Sequence, residues 1–348
     1  MGPTGALLVN LGTPAAPTTA AVRRYLREFL SDPRVIDSHP LARWLLVNLV
    51  VAPFRAPRSA AAYQKIWSRA GSPLRVHGRA LAEGVARELG DGFAVELGMR
   101  YGQPSIAVAI DRLRAAGVER LIALPLFPQY SSAATGSAVA RIEEVMAAQP
   151  DAPPLEIAPA FYDDPGFIEA FAAGAREPLA AFGADFALMS FHGLPERQIR
   201  KTDPTGAHCL ESETCCDAIA AASSNRDCYR AQCFATARSL AIALDLPSER
   251  LGVSFQSRLG RTPWIRPFTD EVLPQLAERG LKRLAIFCPA FVADCLETLE
   301  EIGIRARAQW SELGGDELWL APCPNAHPVW VRAVADRVRR LGSPGARG

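Results

Sequence analysis

The chain has 348 residues, 49% hydrophobic and 22% charged, with 38 basic side chains against 37 acidic ones. That balance excludes the basic excess of a nucleic-acid binder, and the length allows two domains of about 150 residues each. The opening "MGPTGALLVNLGTP" lacks the basic start and apolar core of a secretory signal. Despite Gly2, it also lacks the Ser or Thr that myristoylation requires. We therefore expect a cytoplasmic, reducing setting, where stable disulfides are rare and clustered cysteines more often bind metal.

In chain order, "ALLVNL" (6–11) reads as a strand and "AVRRYLREFLSD" (21–32) as a helix. The run "LARWLLVNLVVAPF" (41–54) is interrupted by Arg43 and is shorter than the about 20 apolar residues a spanning helix needs. It reads as a buried or partly buried helix, or as an apolar lip that meets a greasy ligand or a membrane surface. Strands follow at "FAVELGM" (93–99), "RLIALPLF" (120–127) and "LEIAPAF" (155–161), with the helix "SIAVAIDRLRAAG" (105–117) among them. A second set, "FALMSFH" (186–192), "RLGVSFQ" (250–256), "RLAIFCPAF" (283–291) and "ELWLAPC" (317–323), repeats the pattern. Apolar strands alternating with helices indicate parallel sheets covered on both faces. The fold expected is α/β, with two similar doubly wound, Rossmann-like domains, each a four-stranded parallel sheet flanked by helices. The domains are placed at 1–165 and 166–325, followed by a helix and tail at 326–348. "ELGMRYGQPSI" (96–106) echoes "SFQSRLGRTPWI" (254–265), which suggests duplication of one unit. The tail "LGSPGARG" is expected to be disordered.

In such sheets ligands sit at the carboxyl ends of strands, in a cleft. Asn10, Arg100, Tyr130, His192 and Gln256 lie at those ends. In "SFHGLPER" (190–197), His192 stands where a strand stops and a turn begins, fit to move a proton near neutral pH, to ligate a metal, or simply to cap the turn. His39, His77 and His327 read as structural. "PAFVADCLETLEEIGI" (289–304) reads as a helix after Pro289. Asp294, Glu297 and Glu301, spaced i, i+3, i+7, share one face of it. That face is either solvated or a ladder of carboxylates that attracts a divalent cation or relays protons. "LPLFPQYSSAATG" (124–136) opens into a hydroxyl-rich loop, from Tyr130 through Ser131, Ser132, Thr135 and Gly136, that binds a carboxylate or phosphate or caps a helix. "NLGTP" (10–14) lacks a full glycine fingerprint and no Walker motif is present, so no nucleotide cofactor is supported.

Five of the eight cysteines crowd into "HCLESETCCDAIAAASSNRDCYRAQC" (208–233), spaced C-x5-C-C-x11-C-x4-C. A disulfide knot, a zinc site, an iron–sulfur cluster and an accident of composition all compete for that pattern. His208 is a further candidate ligand.

Six of these stretches, "LLVNLGTP", "YQKIWSRAGSPL", "LPLFPQYSSAATG", "SFHGLPER", "SFQSRLGRTPWIRPFTDE" and "FVADCLETLEEI", stand in the order found in ferrochelatases, and the chain resembles that family over roughly residues 5 to 325. The resemblance implies a class II chelatase fold and a lyase that inserts Fe²⁺ into protoporphyrin IX with release of two protons, the last step of haem biosynthesis. Coproporphyrin III or another tetrapyrrole is the alternative substrate, and a non-enzymatic porphyrin-binding protein the remaining reading. It carries the family's histidine, base or metal ligand, onto His192 and its catalytic glutamate onto Glu297, with Asp294 and Glu301 continuing an acidic path. Cys295 stands where some relatives have a histidine and inherits no metal role. Porphyrin contacts fall on Arg55, Tyr63, Ser72, Arg100, Tyr101, Tyr130 and Trp264, types that suit a flat apolar ring with carboxylate arms. The segment 41–54 becomes the hydrophobic lip, with peripheral membrane contact as its second use. No organic cofactor is implied.

Relatives without the cysteine loop run straight on where this chain has an insertion at 206–230. Several ferrochelatases carry a [2Fe–2S] cluster, which four thiolates satisfy. The resemblance assigns it here to Cys209, Cys215, Cys216 and Cys228, which arrive with the insertion, and Cys233 is the alternate ligand. A structural zinc remains the competing occupant.

Overall fold

The structure is a computed structural model and describes residues 2–219, 225–260 and 262–342. It divides into two compact units. The first comprises the chain up to Phe127, Ser132–Ala160 and the chain from Asn325 on; the second comprises Pro128–Ser131 and Phe161–Pro324.

In the first unit β1 (Thr4–Gly12) is followed by helices α1 (Thr19–Leu30), α2 (Pro40–Leu45), α3 (Ala52–Ile66) and α4 (Pro73–Leu89). Then come β2 (Phe93–Tyr101), α5 (Ile106–Ala115), β3 (Arg120–Pro125), α6 (Ser137–Ala147) and β4 (Leu155–Ile157). The sheet order is β2-β1-β3-β4, all parallel. Central β1 is buried on both faces, which is why its sequence is apolar without alternation. Leu7 and Val9 pack with Ile106, Ile110 and Ile142 of the covering helices. Such side chains contribute roughly 1.5–3 kcal/mol each when fully buried. At the end of β1, Gly12 has φ +122, and a Cβ there would lie 1.8 Å from the Tyr101 carbonyl oxygen. Only glycine lets β1 and β2 approach so closely.

In the second unit α7 (Pro165–Phe182) leads into β5 (Phe186–His192), α8 (Glu196–Arg200) and α9 (Tyr229–Ala243). Next are β6 (Leu251–Gln256), α10 (Thr269–Glu278), β7 (Arg283–Phe287), α11 (Arg307–Glu312) and β8 (Glu317–Leu320). The order, β6-β5-β7-β8, again all parallel, repeats that of the first sheet. Leu188, Leu284, Ile286 and Trp310 form its core. Asp164 caps α7 by accepting from the Gly166 and Phe167 amides, ahead of a proline suited to the first helical position. The last helix, α12 (Pro328–Gly342), belongs to the first unit and packs on α4. The end of the tail, residues 343–348, lies outside the described residues.

The eight strands and their grouping agree with the pattern in the sequence, and the strands are shorter where proline intervenes. β3 stops at Pro125, and β7 stops at Phe287, ahead of Pro289, because proline has no N–H for the ladder. One expectation is narrowed and another corrected. Residues 41–54 are a partly buried helical stretch: Val47 and Ala52 are buried, while Leu41, Trp44, Leu49, Val50 and Phe54 are exposed, Phe54 at 74%. The helix expected from Pro289 begins only at Leu296, so Asp294 lies in the preceding loop and does not share a helical face with Glu297 and Glu301. The Cys295 amide turns instead to the Thr298 hydroxyl (3.0 Å), which itself donates to Asp294 (3.0 Å).

Candidate active site

The second unit gathers its chemistry at the carboxyl ends of β5 and β6. β5 is buried through Phe191 and emerges at His192. The His192 Nδ1 lies 2.6 Å from the Gly193 carbonyl oxygen. A carbonyl only accepts, so Nδ1 carries the hydrogen and Nε2 keeps its lone pair. The Gly193 amide donates to the Gln256 carbonyl at 2.7 Å, and a Cβ at 193 would meet that same oxygen at 2.9 Å. Glycine is thus what allows the tight His192 turn. The Tyr229 hydroxyl donates to the His192 carbonyl at 2.8 Å. Phe291 meets the imidazole edge-on, ring centroids 6.3 Å apart.

Gln256 stands opposite His192 in the β5–β6 register. Its Oε1 accepts from Ser190 (2.6 Å), and its Nε2 donates to the Glu297 backbone carbonyl (2.9 Å). It therefore pins the start of the acidic segment to the sheet that carries His192. That segment, Glu297–Ala306, is a π-helix, closed by the Arg307 amide reaching back to the Ile302 carbonyl. Such wide turns are frequent at functional sites. The Cys295 thiol is pushed well up by burial first and then by the Glu297 charge. Glu301 accepts from the Ser257 amide at 2.9 Å and from its hydroxyl. Burial pushes the Glu301 carboxyl up, and the Ser257 hydrogen bond and Arg305 only partly offset it. Glu297 raises it further and His192 lowers it, which places all three groups within electrostatic reach of one another. Asp294 is buried, bound to Thr298.

The seven residues expected at the porphyrin fall in both units. In the second, Trp264 bridges to Pro195 just past His192, with its indole N–H on the Leu259 carbonyl at 2.9 Å. Tyr130 is half-buried, and its amide donates to Gln232 at 2.6 Å. In the first unit Arg55 is exposed on α3 beside Phe54. Tyr63 is buried edge-on against Trp67, and Ser72 is buried against Thr13 at 2.7 Å. Arg100 and Tyr101 close on a residue that the sequence reading overlooked, Asp32. Its carboxylate takes Arg100 at 2.6 Å, Tyr101 at 2.9 Å and Ser137 at 2.5 Å. Burial pushes Asp32 up, but Ser137, the Arg34 amide, Tyr101 and the Arg100 charge together hold it below its ordinary value. In the hydroxyl loop, Ser132–Gly136 forms another π turn, and the buried Thr135 hydroxyl has no hydrogen-bond partner among the described residues.

The insertion folds around Asp203. The carboxylate accepts from the Thr205 hydroxyl (2.6 Å) and the amides of Thr205, His208 and Cys209 (2.9, 2.8 and 2.8 Å). The Thr205 hydroxyl is the largest cause holding Asp203 far below the usual carboxylate range. Cys209, Cys215, Cys216 and Cys228 are buried. The Cys215 and Cys216 sulfurs lie 3.7 Å apart, and Cys228 acts electrostatically on both Cys209 and Cys216. Burial pushes the Cys209 and Cys215 thiols up, and Cys216 rises chiefly through Cys228. Arg230 donates to the Cys216 sulfur at 3.1 Å. The His208 Nε2 donates to the Cys215 carbonyl at 3.1 Å, which leaves Nδ1 as its acceptor nitrogen. Cys233 is wholly buried, and burial pushes its thiol well up. Among the described residues no three His, Cys, Asp or Glu side chains are already drawn into a metal-holding group; residues 220–224 of the loop lie outside them. Four buried thiols, with a guanidinium beside Cys216 to balance thiolate charge, are the type of donor an iron–sulfur cluster takes.

Comparison with known proteins agrees with this arrangement. In two solved structures the fold recurs: SirB from Bacillus subtilis with Fe³⁺ (TM-score 0.53, 13% identity, covering 98% of this chain and 96% of that one) and the sirohydrochlorin chelatase SirB from Bacillus subtilis subspecies spizizenii in complex with cobalt (TM-score 0.54, 11% identity, 97% and 95%). At that identity they show the fold alone. A ferrochelatase of Coxiella burnetii (strain CbuK_Q154) is 50% identical over 336 residues, 97% of this chain and 93% of its own. A ferrochelatase of Legionella pneumophila (strain Paris) is 47% identical over 332 residues, 95% and 97%. The ferrochelatase family model matches residues 3–341, and the chain belongs to the ferrochelatase family.

Proposed function

We propose that this protein inserts Fe²⁺ into protoporphyrin IX, with His192 as the base and Glu297 at the incoming metal. As a ferrochelatase it is a metal chelatase of haem biosynthesis, with a porphyrin and ferrous iron as substrates. The observation that carries the residue roles is the His192 ring itself: Nδ1–H is committed to the Gly193 carbonyl, so the lone pair left on Nε2 is the one that accepts a proton.

Insertion replaces two N–H protons of the macrocycle by one Fe²⁺. Nε2 of His192 takes the two pyrrole protons one after the other, and the acidic segment carries each away before the next. Glu301, whose proton affinity is raised by burial, suits the next position after Glu297, and Asp294 the one behind. Glu297 offers a carboxylate, a hard oxygen ligand, while the iron sheds its waters. Trp264 and Tyr130 supply aromatic faces for the ring. Exposed Arg55 suits a propionate, and Tyr63, Ser72, Arg100 and Tyr101 act from behind as packed or hydrogen-bonded support. The exposed apolar face between Leu41 and Phe54 suits a poorly soluble ring and a peripheral contact with a membrane surface; among the described residues no helix is long and apolar enough to cross a membrane.

Anaerobic assays of Fe²⁺ and Co²⁺ with protoporphyrin IX and coproporphyrin III test the substrate. Protohaem as the dominant product supports the reading, and haem formed only from coproporphyrin III overturns it.

Cys209, Cys215, Cys216 and Cys228 are the residues that would hold a [2Fe–2S] cluster, which when bound supplies a one-electron redox centre. The chain's part is to bury the thiols, to hold Cys209 through Asp203 and to set Arg230 against Cys216. A red-brown visible spectrum that bleaches with dithionite, lost in Cys228→Ser, supports the cluster. A colourless protein with bound zinc assigns the thiols to zinc instead.

A further inference from the structure

The insertion and the reacting histidine are joined through one side chain. Tyr229 follows Cys228 directly and opens α9. Its ring is buried, and its hydroxyl donates to the His192 carbonyl at 2.8 Å. Pairing of β5 with β7 ends at Met189 opposite Phe287, three residues short of His192, so this end of the strand depends on partners outside that ladder. Tyr229 is one such partner and Gln256, through Gly193, is the other.

The peptide at stake joins His192 to Gly193, whose own carbonyl fixes Nδ1. A rotation of that peptide turns Nε2 away from its target.

We infer that Tyr229 is a positioning residue that holds the His192–Gly193 peptide. Through Cys228, the neighbouring residue, the packing of the loop thereby reaches the reacting imidazole. The inference rests on His192 being the base.

The test compares Tyr229→Phe and His192→Ala with the parent in the full-length protein. Tyr229→Phe keeps the buried ring and removes only the hydroxyl. It is expected to lower kcat about tenfold through misplacement of the base, with KM for protoporphyrin within twofold and the visible spectrum unchanged. Nitrogen-15 spectra of the histidines should show His192 losing its single Nδ1–H tautomer. If Tyr229→Phe fails to fold, the Tyr229 hydroxyl proton of the parent carries the test: a slowly exchanging, downfield resonance supports the bond to the His192 carbonyl, and one that exchanges freely with water overturns the inference. Parental kcat and tautomer in Tyr229→Phe, with His192→Ala inactive, overturn the inference alone. An active His192→Ala would remove the reading beneath it.

Discussion

The two sheets have the same strand order and opposite chemistry at their ends. In the first, the ends of β1 and β2 spend their polar groups on one another: Asn10 binds the next amide at 2.8 Å, and Arg100, Tyr101 and Ser137 all converge on the buried Asp32. In the second, the equivalent strands end in His192 and Gln256. There one side of the imidazole is tied down and the other left with a lone pair, beside a carboxylate whose proton affinity burial has raised. The same wiring thus yields a saturated network on one sheet, which makes for stability, and an unsaturated one on the other, which makes for reactivity. A buried polar network costs little when every member is satisfied, and reactive groups are those left short of partners or pushed off their ordinary pKa.

Substitutions on the two sheets should therefore fail differently. The largest effect on rate belongs to the second sheet: Glu297→Gln should lower metalloporphyrin formation about 10²–10⁴-fold with porphyrin binding, read by fluorescence quenching, within twofold. The largest effect on stability belongs to the first. Asp32→Ala leaves Arg100 without its carboxylate and should cost about 3–5 kcal/mol, read as a lower denaturant midpoint. Asp32 is held below its ordinary value of 3.8, so the stability it contributes is complete above that value and lost as pH falls through the lowered one. Asp32→Asn should flatten that acid-side dependence. The smallest effect sharpens the contrast. Glu301 is raised above its ordinary 4.5, so its contribution is complete below 4.5 and lost as pH rises through the raised value. Glu301→Gln should melt higher than the parent at pH 8 while its turnover falls. If Glu301→Gln melts lower and works normally, the second sheet is as structural as the first.

Much of this was legible in the sequence. Eight unalternating apolar runs separated by helical periods mean two-faced parallel strands, and His192 stood out because it ends one of them. The carboxylates were less legible. A spacing of i, i+3, i+7 assumes α-helical turns, but a π-helix starts at Glu297, and Thr298 captures the Cys295 amide before any helix forms. Asp32 carried no signal, since its partners Arg100, Tyr101 and Ser137 lie far along the chain and only the fold brings them together. The apolar run at 41–54 has the same composition whether buried or exposed, and only its packing decides. Tyr229 had one faint marker, its place directly after a clustered cysteine.

The most direct test of the account is the rate of anaerobic Fe²⁺ insertion into protoporphyrin IX by His192→Ala beside the parent, each with porphyrin binding measured separately. The account predicts loss of about 10²–10⁴-fold in haem formation with porphyrin affinity within twofold. Haem formation within a few-fold of the parent would contradict it, and the second sheet would no longer hold the reacting base.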